Sequence, residues 1–286
     1  MRKIKFLWMV LLVVGLTLLA AGCGGDKPAD KPGEQAASGD AEKTTWQLIQ
    51  EKGVMTVGLD DTFRPMGFRD EKGELVGFDI DMGKELEKRL GIKLEWIPTD
   101  WSGVTGALNS KKFDVVINGM SITEERKKVI DFSIPYVNAS IGMAVKIDNN
   151  DIKTKEDLKG KTVATQAGSS GYEACKELVK EGIIDESKIK QYNQYPEAFQ
   201  DLALGRVDAV VVDVTTAGDF VSKKPDTYKI VEEPLVEDFY AIGLRKEDKD
   251  LKEVLDKTLR EMMEDGTLSA ISQKWFDGKD MIAKPE

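Results

Sequence analysis

Four polar stretches, each following an apolar run, carry the residues able to do chemistry in this chain. They are Asp60-Asp61-Thr62-Phe63, Asn118-Gly119-Met120-Ser121, Gln166-Ala167-Gly168-Ser169-Ser170-Gly171 and Asp213, with Arg126 close behind Ser121. Together they supply carboxylates, hydroxyls, backbone N–H groups and a guanidinium. Such a set suits a small zwitterion, with carboxylate for its ammonium and donors for its carboxylate. No nucleophile stands beside a base. The chain of 286 residues contains no histidine, which removes Ser-His-Asp and Cys-His catalysis and any His-ligated metal. Two cysteines are too few for a disulfide scaffold or a four-thiolate zinc site. The formal net charge of -10, from 41 Lys+Arg against 51 Asp+Glu, argues against nucleic-acid binding, which needs basic surface to neutralise phosphate.

The elements that must position these residues alternate between strand and helix. Val54 to Leu59 reads as a buried strand, Asp79 to Leu90 as a helix closed by Gly91, Lys93 to Ile97 as a strand and Phe113 to Ile117 as another. Thr123 opens a helix as its N-cap, since its hydroxyl can accept from a first-turn N–H. The second half repeats the pattern: strands at Ile141 to Ile147, Lys161 to Thr165 and Val207 to Val212, helices from Tyr172 and from Glu197, then closing helices over Asp250 to Asp265 and Leu268 to Phe276. This is α/β grammar with a mostly parallel sheet, whose ligands bind beyond the carboxyl ends of strands. Read alone, it gives two consecutive α/β units.

The N-terminus reads as an address. Arg2, Lys3 and Lys5 precede an uncharged run from Phe6 to Ala21, short for a permanent span and suited to export. Leu19-Ala20-Ala21-Gly22-Cys23 resembles the lipobox of bacterial lipoproteins, although the usual leucine three places before the cysteine is Ala20 here. The resemblance implies a signal peptide over 1–22 and a lipid, palmitate included, on Cys23. Residues 23–45 are rich in Gly, Pro, Ala, Ser and charge and read as a disordered tether.

Phe78-Asp79-Ile80-Asp81, Trp101-Ser102-Gly103, Phe113-Asp114-Val115-Val116, Gly119-Met120-Ser121-Ile122-Thr123-Glu124-Glu125-Arg126, Asp131-Phe132-Ser133-Ile134-Pro135-Tyr136 and Lys274-Trp275-Phe276-Asp277-Gly278 resemble, in order, the polar amino-acid-binding proteins of bacterial ABC importers. The resemblance runs from about residue 46 to 278. It implies a two-lobed periplasmic-binding-protein-like fold of type II, with two mixed sheets flanked by helices and joined by a two-strand hinge. Carried onto this chain, lobe 1 is 46–136 plus 240–286, and lobe 2 is 137–239, inserted in the middle.

The same resemblance implies roles. Arg126 grips the ligand α-carboxylate through its planar fork, which lysine does not reproduce. A cation near a helix N-terminus also opposes the dipole, so an anionic partner is expected there. Ser121 meets the carboxylate and the Gly119 carbonyl the ammonium, with Met120 between them in the ligand-binding loop. Asp213 pairs with the α-ammonium from the other lobe. Ser169 and Ser170 offer N–H groups at a helix start. Phe63 and Trp101 form aromatic walls, while Asp60 and Gln166 meet the far end of the side chain.

Glutamine-binding relatives can carry Lys where this chain has Gln166 and His where it has Val212. The expected ligand is therefore arginine or another basic amino acid, then cystine, then glutamine. An amino-acid or cyclohexadiene dehydratase on the same fold is the competing enzyme class, against which stands the lack of a proton carrier tuned near neutrality. The expected picture is a monomeric, non-catalytic lipoprotein on the outer face of the cell membrane, using no cofactor or metal and serving permease and ATPase subunits. Cys175 is expected to be a buried free thiol.

Overall fold

The computed structural model describes residues 43–284. The expected signal peptide, lipidated Cys23 and nearly all of the tether lie outside the described residues. Among the described residues, no helix is long and apolar enough to cross a membrane.

The chain enters through α1 (Thr45–Lys52), whose N-cap Thr44 forms a capping box with Gln47. Gly53, left-handed at φ 66°, ends it and turns the chain into β1 (Val54–Leu59). A small antiparallel sheet follows, made of β2 (Thr62–Phe63), β3 (Gly67–Arg69) and β4 (Leu75–Val76). Next come α2 (Phe78–Leu90), β5 (Lys93–Pro98), α3 (Val104–Asn109), β6 (Val115–Ser121), α4 (Glu124–Val129) and β7 (Asp131–Phe132). The long β8 (Val137–Lys146) leads into β9 (Val163–Gln166), α5 (Ser170–Lys180), β10 (Ile189–Tyr192), α6 (Tyr195–Ala203), β11 (Ala209–Asp213), α7 (Val214–Lys223) and β12 (Tyr228–Ile230). The equally long β13 (Val236–Leu244) returns, and α8 (Lys249–Glu264) and α9 (Thr267–Trp275) close the fold.

The strands are hydrogen-bonded in the order β10-β9-β11-β8-β13-β6-β1-β5, with β12 on β8 and β7 on β13. Pairing is parallel at β1/β5, β1/β6, β9/β10 and β9/β11, and antiparallel where β8 and β13 meet each other and their neighbours. The sheet is thus mixed and flanked by helices, as expected for the type II fold. Its two halves form one continuous path because β8 and β13 each run through both. Those strands are longer than the apolar runs that announce them, since their polar ends at Asn138 and Glu237 pair with each other's backbone.

Apolar spacing selects the buried faces. In α8 the buried Leu251, Leu255, Leu259 and Met262 recur at three- and four-residue steps. All five residues of β11 are buried, as a strand covered on both faces by helices requires. β6 runs four residues past the expected end at Ile117. Pairing continues to Ser121 opposite Tyr240, so Gly119 and Ser121 lie within the sheet.

Candidate functional site

Four chain segments meet where β1, β6, β9 and β11 end. At the end of β1, Asp60 is buried, with 5% of its surface exposed. Its Oδ1 accepts from the Thr62 N–H (2.9 Å) and Oγ1 (2.7 Å), folding the turn onto the carboxylate, while its own N–H donates to Asn118 Oδ1 (2.9 Å). Its Oδ2 accepts from Gln166 Nε2 at 2.6 Å. Gln166 Nε2 also donates to the Asn193 carbonyl (2.8 Å), so both of its amide protons are engaged. Asp61 points away and pairs with Arg69 (2.6 Å), as neighbours on extended chain must.

β6 contributes Gly119 and Ser121. Gly119 sits at φ 51°, and a Cβ there would come within 2.8 Å of Phe63 Cε1 and 3.2 Å of Tyr240 Cε2. Only glycine fits. Its N–H donates to Asp79 Oδ2 (2.7 Å), and Tyr136 Oη donates to the other oxygen of the same carboxylate (2.8 Å). Asp79 is wholly buried, and desolvation raises its pKa to about 7.

Arg126 is 8% exposed. Nη1 donates to the Ser121 carbonyl (3.0 Å) and Nη2 to the Gly168 carbonyl (3.1 Å), with the guanidinium carbon 5.5 Å from the centre of the Trp101 ring. Burial lowers its pKa, which Asp238 and then Asp213 oppose. Thr123 caps α4 as expected, its Oγ1 accepting from the Arg126 N–H (3.2 Å).

From the other side, Ser169 is the N-cap of α5. It accepts from the Tyr172 N–H (3.1 Å) and from Tyr195 Oη (3.1 Å). Ser170 is then the first helical residue, and Ser121 Oγ donates to its hydroxyl (3.0 Å). Asp213, 2% exposed, closes β11 and accepts from Tyr240 Oη (2.8 Å). Although it stands at the head of α7, it makes no side-chain cap bond. Burial first, and then the charge of Asp238, raise its pKa to about 7.

Phe63, Trp101, Gly119, Ser121, Arg126, Gln166, Ser169, Ser170 and Asp213 line one cavity together. Asp60 lines the adjoining opening, beside Asp61, Asp100, Thr99 and Asn193. The exception is Met120. Expected in the ligand-binding loop, its side chain is fully buried among Trp101, Val104, Phe132 and Ala241. Strand alternation turns it to the face opposite Gly119 and Ser121. Cys175 is a buried free thiol, its pKa pushed up to about 12 by desolvation.

Three groups in or around the cavity were not anticipated. Tyr195 lines it, with its ring 6.0 Å from that of Phe63; an aromatic opening a helix after a strand was its only signal. Tyr240 holds Asp213, and Asp238 is a further buried carboxylate on the same strand. Tyr240 lies in an apolar run, Phe239 to Leu244, that reads as a strand, and Asp238 just before it, at the hinge that the family resemblance implies. Chemically, the arrangement offers a guanidinium, hydroxyls and helix-start N–H groups at one end, carboxylates at both ends and aromatic walls between.

The chain belongs to the bacterial extracellular solute-binding proteins, family 3, which it matches over residues 55–278. It is 39% identical to the L-cystine-binding protein TcyJ of Escherichia coli (strain K12), over 82% of this chain and 87% of that one. It is 35% identical to the L-cystine-binding protein TcyA of Bacillus subtilis (strain 168), over 97% and 98%. Among solved structures, it is similar to an ancestral arginine-binding protein bound to arginine, with a TM-score of 0.74 and 47% identity, covering 78% of this chain and 98% of that one. It is thus a member of a family of amino-acid-binding proteins.

Proposed function

We propose that this protein captures arginine, or another basic amino acid, between two lobes and delivers it to the permease of an ABC importer, without catalysis. The lobes are 46–136 with 240–286, and 137–239, with β8 and β13 as the hinge strands. Arg126 and Ser121 hold the α-carboxylate together with Ser169 and Ser170. Asp213 and the Gly119 carbonyl take the α-ammonium. Phe63 and Trp101 sandwich the methylenes, with Asp60 and Gln166 at the far end. Cys23 carries the lipid that keeps the monomer on the outer face of the membrane, next to its permease and ATPase partners.

The observation that carries the ligand choice is the charge at the far end. Asp60 is buried, and the opening beyond carries the Asp100 carboxylate and no lysine or arginine, the Asp61 carboxylate there being paired with Arg69. A guanidinium or ammonium is neutralised there. The second end of cystine would bring an ammonium for Asp60 but also a carboxylate that meets no lysine or arginine in that opening. Cystine is nonetheless the second reading, because the curated relatives named above bind it.

Thermal unfolding of the full chain against single amino acids tests this. A ligand at 100 times its Kd adds about 2.7 kcal/mol to native stability, so arginine or lysine should raise the melting temperature most. A larger shift with cystine or glutamine would retain the class and reject the ligand.

A further inference from the structure

Asp238 is left over by the site as described. It is 8% exposed; Oδ1 accepts from the Phe239 N–H (2.7 Å), while Oδ2 is buried without a well-formed hydrogen bond, the Ser121 hydroxyl and the Ile122 N–H being the donors nearest the carboxylate. Leaving a carboxylate oxygen in that state is costly. Its position is fixed by β13. Residues 238 and 240 point to the same face of the strand, and Tyr240 Oη on that face reaches Asp213. Across the ladder, Tyr240 is opposite Ser121, and the Ile122 N–H donates to the Phe239 carbonyl (3.1 Å). Asp238 therefore stands beside the end of β6, where Arg126 grips the Ser121 carbonyl. Arg126 and Asp213 both feel its charge.

The carboxyl-recognising end of the cleft thus sets two buried carboxylates, Asp213 and Asp238, around one guanidinium. We infer that Asp238 is a specificity-determining residue that makes the site demand an α-ammonium, by opposing any carboxylate ligand that brings none. A zwitterion supplies a cation for the surplus carboxylate. An α-hydroxy or α-keto acid adds an anion beside Arg126 and brings no cation, so it is opposed by whichever of the two carboxyls is ionised. With Asp238 neutral, Arg126 and Asp213 alone would balance each other, and such acids would meet far less resistance.

The inference rests on the amino-acid-binding reading and deepens its near end, independently of the side chain recognised at Asp60. The test is calorimetric titration of the full-length wild type, Asp238→Asn and Asp238→Glu with arginine and with its α-hydroxy analogue. Melting temperatures of the unliganded proteins are read alongside. Wild type should favour arginine strongly. In Asp238→Asn the ratio of affinities should fall roughly tenfold, the scale of one charge acting through a partly desolvated site. The change should come chiefly from tighter binding of the hydroxy acid. Asp238→Glu, which keeps the charge, should retain the discrimination, so a defect of folding or packing alone is separated from the effect of charge. An unchanged ratio in Asp238→Asn, or an equal loss in both variants, overturns the inference. Should wild type prefer cystine or glutamine, the basic-ligand reading fails, and the same comparison with that amino acid's hydroxy analogue still decides the role of Asp238.

Discussion

Gln166 Nε2 lies 2.6 Å from Asp60 Oδ2, joining the end of β9 to the end of β1 through a buried amide–carboxylate bond. Ser121 to Ser170 (3.0 Å) and Arg126 to the Gly168 carbonyl (3.1 Å) bridge the same two sides. At each end of the cavity, groups from its two sides therefore satisfy each other directly. An arriving amino acid exchanges these bonds for its own, so affinity reflects the difference between two bonded states.

Asp60→Asn keeps the shape of the far end and removes its charge. Hydrogen bonds to charged groups contribute about 1.5–3 kcal/mol, so arginine affinity should fall roughly 10- to 100-fold while glutamine affinity changes little. Titration calorimetry reads both. Equal losses for the two ligands would place the arginine side chain elsewhere.

Arg126→Lys retains the positive charge but loses the planar fork. Every amino acid should lose affinity, by roughly 100-fold or more, because the α-carboxylate is common to all of them. A loss confined to one side chain in an amino-acid panel would contradict the role given to Arg126.

Gly119→Ala places a Cβ 2.8 Å from the Phe63 ring at a positive φ. Destabilisation of about 1–3 kcal/mol is expected, visible as a lower urea midpoint together with weaker binding. Wild-type behaviour would show that the end of β6 relaxes without cost.

The raised pKa values of Asp79 and Asp213, each about 7, fix the sign of two pH effects. Both carboxyls bind protons more tightly folded than unfolded, so their contribution to unliganded stability is present at low pH. It is lost as pH rises from about 4 through 7. Ligand binding runs the other way. With the α-ammonium on ionised Asp213, as proposed, affinity should rise with pH towards 7, with proton release on binding. Calorimetry in buffers of different ionisation enthalpy measures that release, and Asp213→Asn should abolish it.

Much of this site is legible in the sequence because its residues close apolar runs. Asp213 ends β11, Gln166 ends β9 and Asp60 follows β1, so strand ends found by hydrophobicity also find polar groups that converge in space. Arg126 is legible because a cation near a helix start conflicts with the dipole. Met120 was misplaced because β6 continues past Ile117, and the face of each residue depends on where pairing stops. Asp238 and Tyr240 were invisible as site residues. They reach Asp213 and Ser121 only through the antiparallel register of β13 with β6 and β8, a long-range pairing that no local pattern encodes.

Whether a basic side chain sits at Asp60 is tested most directly by titration calorimetry of the full chain with arginine and its neutral isostere citrulline. Arginine should bind at least about tenfold more tightly, one desolvated charge pair being worth roughly 1.4 kcal/mol or more. Equal affinity for the two, or tighter binding of citrulline, would contradict it.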